Sequence, residues 1–158
     1  AAEGSSGLAP RWHMIGALQR NKAKAAVEIF DTVETVDRLK LAVALDKNAA
    51  AAERRIDAFL QVNLSREPQK AGVLPEAAEA FIANCRGMDL QLSGLMCIPP
   101  EGVDPVPHFT ALARLAAQNG LPGLSMGMSA DFEAAIAAGA THVRVGSAIF
   151  GARDYPKA

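Results

Sequence analysis

The chain has 158 residues, half of them hydrophobic and 21% charged, which is the balance of one folded domain with a core and not of a disordered segment. With a formal net charge of −1 and no dense run of Lys or Arg, nucleic acid is not an expected partner. Two cysteines without a CxxC or a histidine cluster at ligand spacing give neither a disulfide framework nor a zinc site, and no apolar stretch approaches the ~18 residues of a membrane span, so a cytoplasmic protein is expected.

Taken in chain order, the Gly- and Ser-rich opening "AAEGSSGLAP" (1–10) reads as a mobile end, and the folded region is expected over 11–158. A first apolar run, "WHMIG" (12–16), precedes "RNKAK" (20–24), whose charges read as a solvated helix face. Further short runs follow at "IFDTV" (29–33), "AFLQVNL" (58–64), "LSGLMCI" (92–98), "GLSMGM" (123–128) and "HVRVGSA" (142–148), making six expected strands. Between them, helical periodicity predicts helices over 36–55 (with Leu39, Val43 and Leu45 as apolar positions), 75–85, 107–118 and 129–138. Pro75 and Pro107 fall in first turns, Ser129 is placed to cap the last of these helices, Asp131 and Glu133 suit its dipole, and Gly139 ends it.

Regular alternation of strand and helix implies right-handed βαβ crossovers and a parallel sheet. The fold expected is α/β, a (β/α)8 TIM-type barrel that is incomplete. About six βα units are present, and the two missing ones are expected before Ala1.

Barrels of this type commonly hold phosphate in the loops after the last two strands. "SMGMS" and "RVGSAIFG" have the required form: glycine lets a ligand approach the backbone, and a helix start offers free N–H groups. Ser129, Gly146 and Ser147 are the phosphate candidates, against the simpler reading that the glycines only permit turns and the serine only caps. If "HVRVG" alternates, His142, Arg144 and Gly146 share a face, and Arg144 needs a partner, either a neighbouring carboxylate or an acceptor on a ligand. His13 suits a hydrogen-bonded core histidine as well as a ligand contact. Asn63 lies at a strand mouth, and Met128 suits packing. Asp31 and Glu34 are the nearest approach to the acid and base of a sugar-phosphate isomerase, and they form no convincing pair.

"WHMIGALQRNKAK", "QVNLSREPQKAG", "GLMCIPP" and above all "LSMGMSADFEAAIAAGATHVRVGSAIFGAR" resemble the pyridoxal phosphate homeostasis protein family, from about Arg11 to Arg153. The resemblance implies an alanine racemase-like barrel that binds pyridoxal 5′-phosphate (PLP) and buffers or delivers it within the cell, without established turnover. It places the phosphate contacts on Ser129, Gly146 and Ser147, and an arginine facing the pyridine nitrogen on Arg144. Met128 and Asn63 complete the expected cofactor-binding set. The family's Schiff-base lysine belongs to a first βα unit without a counterpart here. Lys22, Lys24, Lys40, Lys47, Lys70 and Lys157 do not occupy its motif, although Lys70 matches another family lysine.

Expected partners are PLP itself, PLP-dependent apo-enzymes as recipients, and a second copy of the chain through exposed sheet edges. The alternative is a fold-type III PLP-dependent amino acid racemase-like enzyme. It is weakened because such enzymes draw a tyrosine base from an added β-rich domain, whereas the only tyrosine here is Tyr155.

Overall fold

The computed structural model describes residues 9–151. The stretch expected to be a mobile end lies largely outside the described residues, as do Arg153, Tyr155 and Lys157. Six strands, β1 (His13–Met14), β2 (Thr32–Val36), β3 (Asp57–Gln61), β4 (Gln91–Met96), β5 (Gly123–Met128) and β6 (His142–Arg144), form one sheet in sequential order. Every neighbouring pair is parallel. The helices are α1 (Ala23–Ile29), α2 (Leu39–Ala51), α3 (Pro75–Cys85), α4 (Val106–Gln118), α5 (Phe132–Ala137) and the single turn α6 (Ser147–Phe150), with a 3-10 turn at Arg20–Lys22. This is the incomplete barrel of about six βα units, curled so far that the rings of His13 on β1 and His142 on β6 lie 5.6 Å apart.

Several expected boundaries shift. The second strand begins at Thr32 because Ile29 closes α1, a helix that periodicity over so short a segment did not separate from the strand. Helix α2 is shorter than 36–55, since Val36 belongs to β2 and Arg38, in extended backbone, precedes the helix. Its buried face is Leu41, Ala42, Leu45 and Ala49, while Leu39 and Val43 are exposed. The last strand ends at Arg144, and Ser147 already belongs to α6. Pro75 and Pro107 sit in first turns as expected, and Gly139, at φ +96°, follows α5 where a left-handed residue closes the helix.

Alternation along the strands creates two interiors. One set, including Val33, Ala58, Leu60, Leu95, Leu124 and Met126, packs against buried faces of the helices such as Val27, Leu41, Leu45, Ile82, Phe109 and Leu112. Each fully buried aliphatic side chain of this layer contributes about 1.5–3 kcal/mol. The other set faces the inside of the curl and is polar for a core: Thr32, Glu34, Gln61 and Ser125 are all buried.

Two glycines shape that inner face. Gly94 and Gly123 are register partners on β4 and β5, and a Cβ built on Gly94 would lie 2.3 Å from the Gly123 carbonyl oxygen. A Cβ on Gly123 would lie 2.8 Å from the Phe59 ring. The missing side chains let the two strands approach and leave room for Phe59, whose ring meets His142 edge-on at 5.0 Å.

Candidate functional site

The C-terminal ends of β5 and β6 open onto a cleft of about 880 Å³ whose walls include His13, Glu34, Met128, Ser129, Arg144 and Gly146. Ser147 also lines it. Five of the six expected cofactor-binding residues are therefore brought together at one rim. The sixth, Asn63, lines a neighbouring cavity of about 310 Å³ that shares Ile15 and Ile98 with the cleft. There its amide is committed to the chain itself. Nδ2 donates to the Glu67 carbonyl at 2.9 Å and to that of Lys70 at 3.3 Å, and Oδ1 accepts from Ser65 at 3.1 Å. Lys70 also lines this smaller cavity and pairs with Glu67 at 2.8 Å. Among the described residues, no lysine lines the larger cleft.

Ser129 does not cap α5. The residue preceding that helix is Asp131, and its carboxylate accepts from the Met128 N–H at 2.6 Å, closing the turn after β5. Ser129 reaches instead across to the other turn, where its Oγ accepts from the N–H groups of Gly146 and Ala148, each at 3.2 Å. Two backbone donors thus converge on a single oxygen at the rim. Gly146 is required neither by its backbone, at φ −122°, nor by its neighbours, since a Cβ there would meet nothing within 4 Å. The space in front of it suits close approach of a ligand. Gly127, at φ +92°, is different: a Cβ there would lie 2.5 Å from that of Ala135, so this glycine serves the packing of α5.

Arg144 points inward from β6, on the face it shares with His142; alternation alone left open whether that face meets the barrel or the helical layer. Its partner is neither a carboxylate nor, within the chain, a ligand-like group: Nη1 donates to the Ser125 hydroxyl at 2.6 Å and Nη2 to the Cys97 carbonyl at 2.9 Å. A guanidinium has five N–H donors, so these bonds leave others for a ligand. Burial lowers the Arg144 pKa from its ordinary value, and the nearby Glu34 charge works against that shift. Burial also lowers His142, favouring its neutral form, and pushes the Cys97 thiol up to about 12.

Two inner residues join this site that sequence reasoning undervalued or missed. Glu34, considered only as a weak acid–base candidate, is 2% exposed at the middle of β2. It contacts His13 Nδ1 at 2.7 Å through Oε1, and its Oε2 accepts from the Ser125 hydroxyl at 2.5 Å. Ser125 was not singled out at all. The available signal was a charge at the centre of "TVETV", where a strand with both faces covered should be apolar. Asp31 precedes β2, at the opposite end from the rim, where it accepts from the Trp12 N–H at 2.8 Å and pairs with Arg54 at 3.1 Å. Its role is structural.

A PLP-sized anion-bearing ring tests well against these residues. The cleft falls in the usual volume range for small-ligand sites. Converging N–H donors and an uncovered glycine suit a phosphate, and a half-buried guanidinium suits an aromatic nitrogen acceptor.

Comparison with known proteins agrees. Residues 4–154 match the family described as "Alanine racemase, N-terminal domain". The pyridoxal phosphate homeostasis protein of Pseudomonas aeruginosa is 44% identical over 150 residues, covering 91% of this chain and 65% of the relative. That of Escherichia coli is 43% identical over 163 residues, covering 98% and 69% respectively. This chain thus spans about two thirds of the length of the curated relatives it matches. PipY of Synechococcus elongatus, solved with PLP bound, superimposes with a TM-score of 0.81 at 39% identity, over 89% of this chain and 70% of that one. Alanine racemase of Clostridium difficile, at 14% identity and a TM-score of 0.73 over 96% of this chain and 41% of its own, shares the fold alone. By sequence and by fold, the chain belongs to the alanine racemase N-terminal domain family and, within it, to the pyridoxal phosphate homeostasis proteins.

Proposed function

We propose that the chain is a PLP-holding unit of cellular PLP homeostasis, and that it grips the cofactor at two points. The carrying observation is that Ser129, Gly146, Ser147 and the half-buried guanidinium of Arg144 line one cleft, with the Gly146 and Ala148 N–H groups gathered on the Ser129 hydroxyl beside it. Ser129, Gly146 and Ser147 take the phosphate, Arg144 takes the pyridine nitrogen, and Met128 covers the ring. Asn63 acts at one remove, by fixing the loop that walls the neighbouring cavity.

PLP supplies a reactive aldehyde on an electron-withdrawing ring. The protein's part is to bind and orient it. Arg144 donates hydrogen bonds but does not surrender a proton at physiological pH, so it favours an unprotonated ring nitrogen. A ring in that state is a weaker electron sink than one paired with a carboxylic acid, which suits storage and transfer better than turnover. Cytoplasmic residence, PLP-dependent apo-enzymes as recipients and self-association through the sheet edges belong to the same proposal.

The test is a titration of the chain with PLP, followed by absorbance. Arg144→Ala and Ser129→Ala should each weaken binding about tenfold or more, the scale of a lost charge-assisted or anion-directed hydrogen bond. Affinity unchanged in both variants sinks the reading.

A further inference from the structure

We propose that Glu34, acting through Ser125, is the positioning residue of Arg144; this rests on reading Arg144 as the partner of the ring nitrogen. The polarity of the hydrogen-bond chain carries the argument. A guanidinium only donates, so the Ser125 oxygen accepts from Arg144 Nη1 at 2.6 Å and its single proton must go elsewhere. It goes to Glu34 Oε2 at 2.5 Å, and the other carboxylate oxygen faces His13 Nδ1 at 2.7 Å. Each step fixes the next. Glu34 and Ser125 are 2% and 0% exposed, so water does not substitute for either partner.

Arg144 needs such an anchor. It ends the three-residue strand β6, so little backbone holds it in place. The Cys97 carbonyl fixes one nitrogen at 2.9 Å, and the Ser125 hydroxyl fixes the second, which sets the plane of the guanidinium. Glu34 supplies a negative charge one hydroxyl away, compensating a cation drawn out of water. A glutamine at position 34 cannot reproduce this. It has no charge to set against the guanidinium, and with one acceptor and one donor it keeps Ser125 only where His13 turns an unprotonated Nδ1 toward its amide. The ligand class that depends on this aim is an aromatic heterocycle with an unprotonated ring nitrogen. A bare phosphate does not depend on it.

The experiment compares three probes on the full chain: PLP, its carbocyclic analogue with CH in place of the ring nitrogen, and inorganic phosphate. The wild type should prefer PLP over the analogue by about tenfold, whereas Glu34→Gln and Ser125→Ala should bring the preference within about twofold. Phosphate affinity should stay within about twofold of wild type in both, showing that the rim is intact. Ser125→Ala, nearly isosteric, keeps the test open should Glu34→Gln fold poorly. A preference kept in both variants but lost in Arg144→Ala overturns the positioning role and leaves the Arg144 reading standing. No preference in the wild type, with Arg144→Ala binding PLP normally, overturns both.

Discussion

At the scale of single residues, the glycines separate what the fold needs from what the site needs. Gly127 combines a left-handed backbone with a Cβ position 2.5 Å from Ala135. Gly127→Ala should therefore destabilise the protein by about 1–3 kcal/mol, seen as a lower midpoint in urea. Gly146 has neither constraint. Gly146→Ala should leave that midpoint within about 0.5 kcal/mol of wild type, as ordinary surface changes do, while weakening both PLP and inorganic phosphate. If Gly146→Ala unfolded the protein as readily as Gly127→Ala, its place in a phosphate cup would lose its support. The two residues look alike in "SMGMS" and "RVGSA". Their backbone conformations and the neighbours of the absent Cβ tell them apart.

Among elements, the long connection from β3 to α3 illustrates how a side chain can replace regular structure. It is tied by a short backbone pairing, Asn63 N to Val73 O at 2.8 Å and Val73 N to Gln61 O at 2.9 Å, and by the three side-chain bonds of Asn63. Asn63→Ala would remove all three and leave two carbonyls and a hydroxyl without their partner. The expected result is faster amide exchange over residues 63–73 and a loss of about 1–3 kcal/mol. Unaltered exchange there would place Asn63 outside the loop's support.

This element also marks the limit of what sequence reveals. Strands and helices were legible because their periods, 2.0 and 3.6, write themselves into the apolar pattern, and α3, α4 and β5 appear almost where expected. That Ser129, Gly146, Ser147 and Arg144 belong to one pair of adjacent strand ends was legible from glycine, serine and alternation. The Asn63 loop, the bonds of Ser129 across to the other turn, and the Glu34–Ser125 link were not. They depend on which residues of different strands meet, and a sequence period says nothing about partners 17 or 91 positions apart.

Among the described residues, the sheet as a whole ends in two short edge strands, β1 and β6, each with a strand neighbour on one side. Apolar side chains accompany both: Trp12 and Ile15 beside β1, and Val143, Ile149 and Phe150 at and after β6. Phe150 is 85% exposed. Such edges favour pairing with another copy. The 158-residue chain should therefore show concentration-dependent mass in sedimentation equilibrium, and Phe150→Ser should shift it toward monomer. A monomer at all concentrations would contradict the proposal.

The curl that brings β1 and β6 so near also partitions the interior. His13 and His142 line both the rim cleft and a second cavity of about 380 Å³ below it, between Arg11, Asp57 and Ser93. Phe59, seated over the glycine pair of β4 and β5, meets the His142 ring edge-on. The three rings stand between the rim cleft and the cavity below it. A ligand held at Arg144, as proposed, would arrive and leave on the rim side of these rings. On the proposed reading, a recipient of the cofactor would come to the very loops that hold its phosphate, and loading and unloading would compete for one doorway.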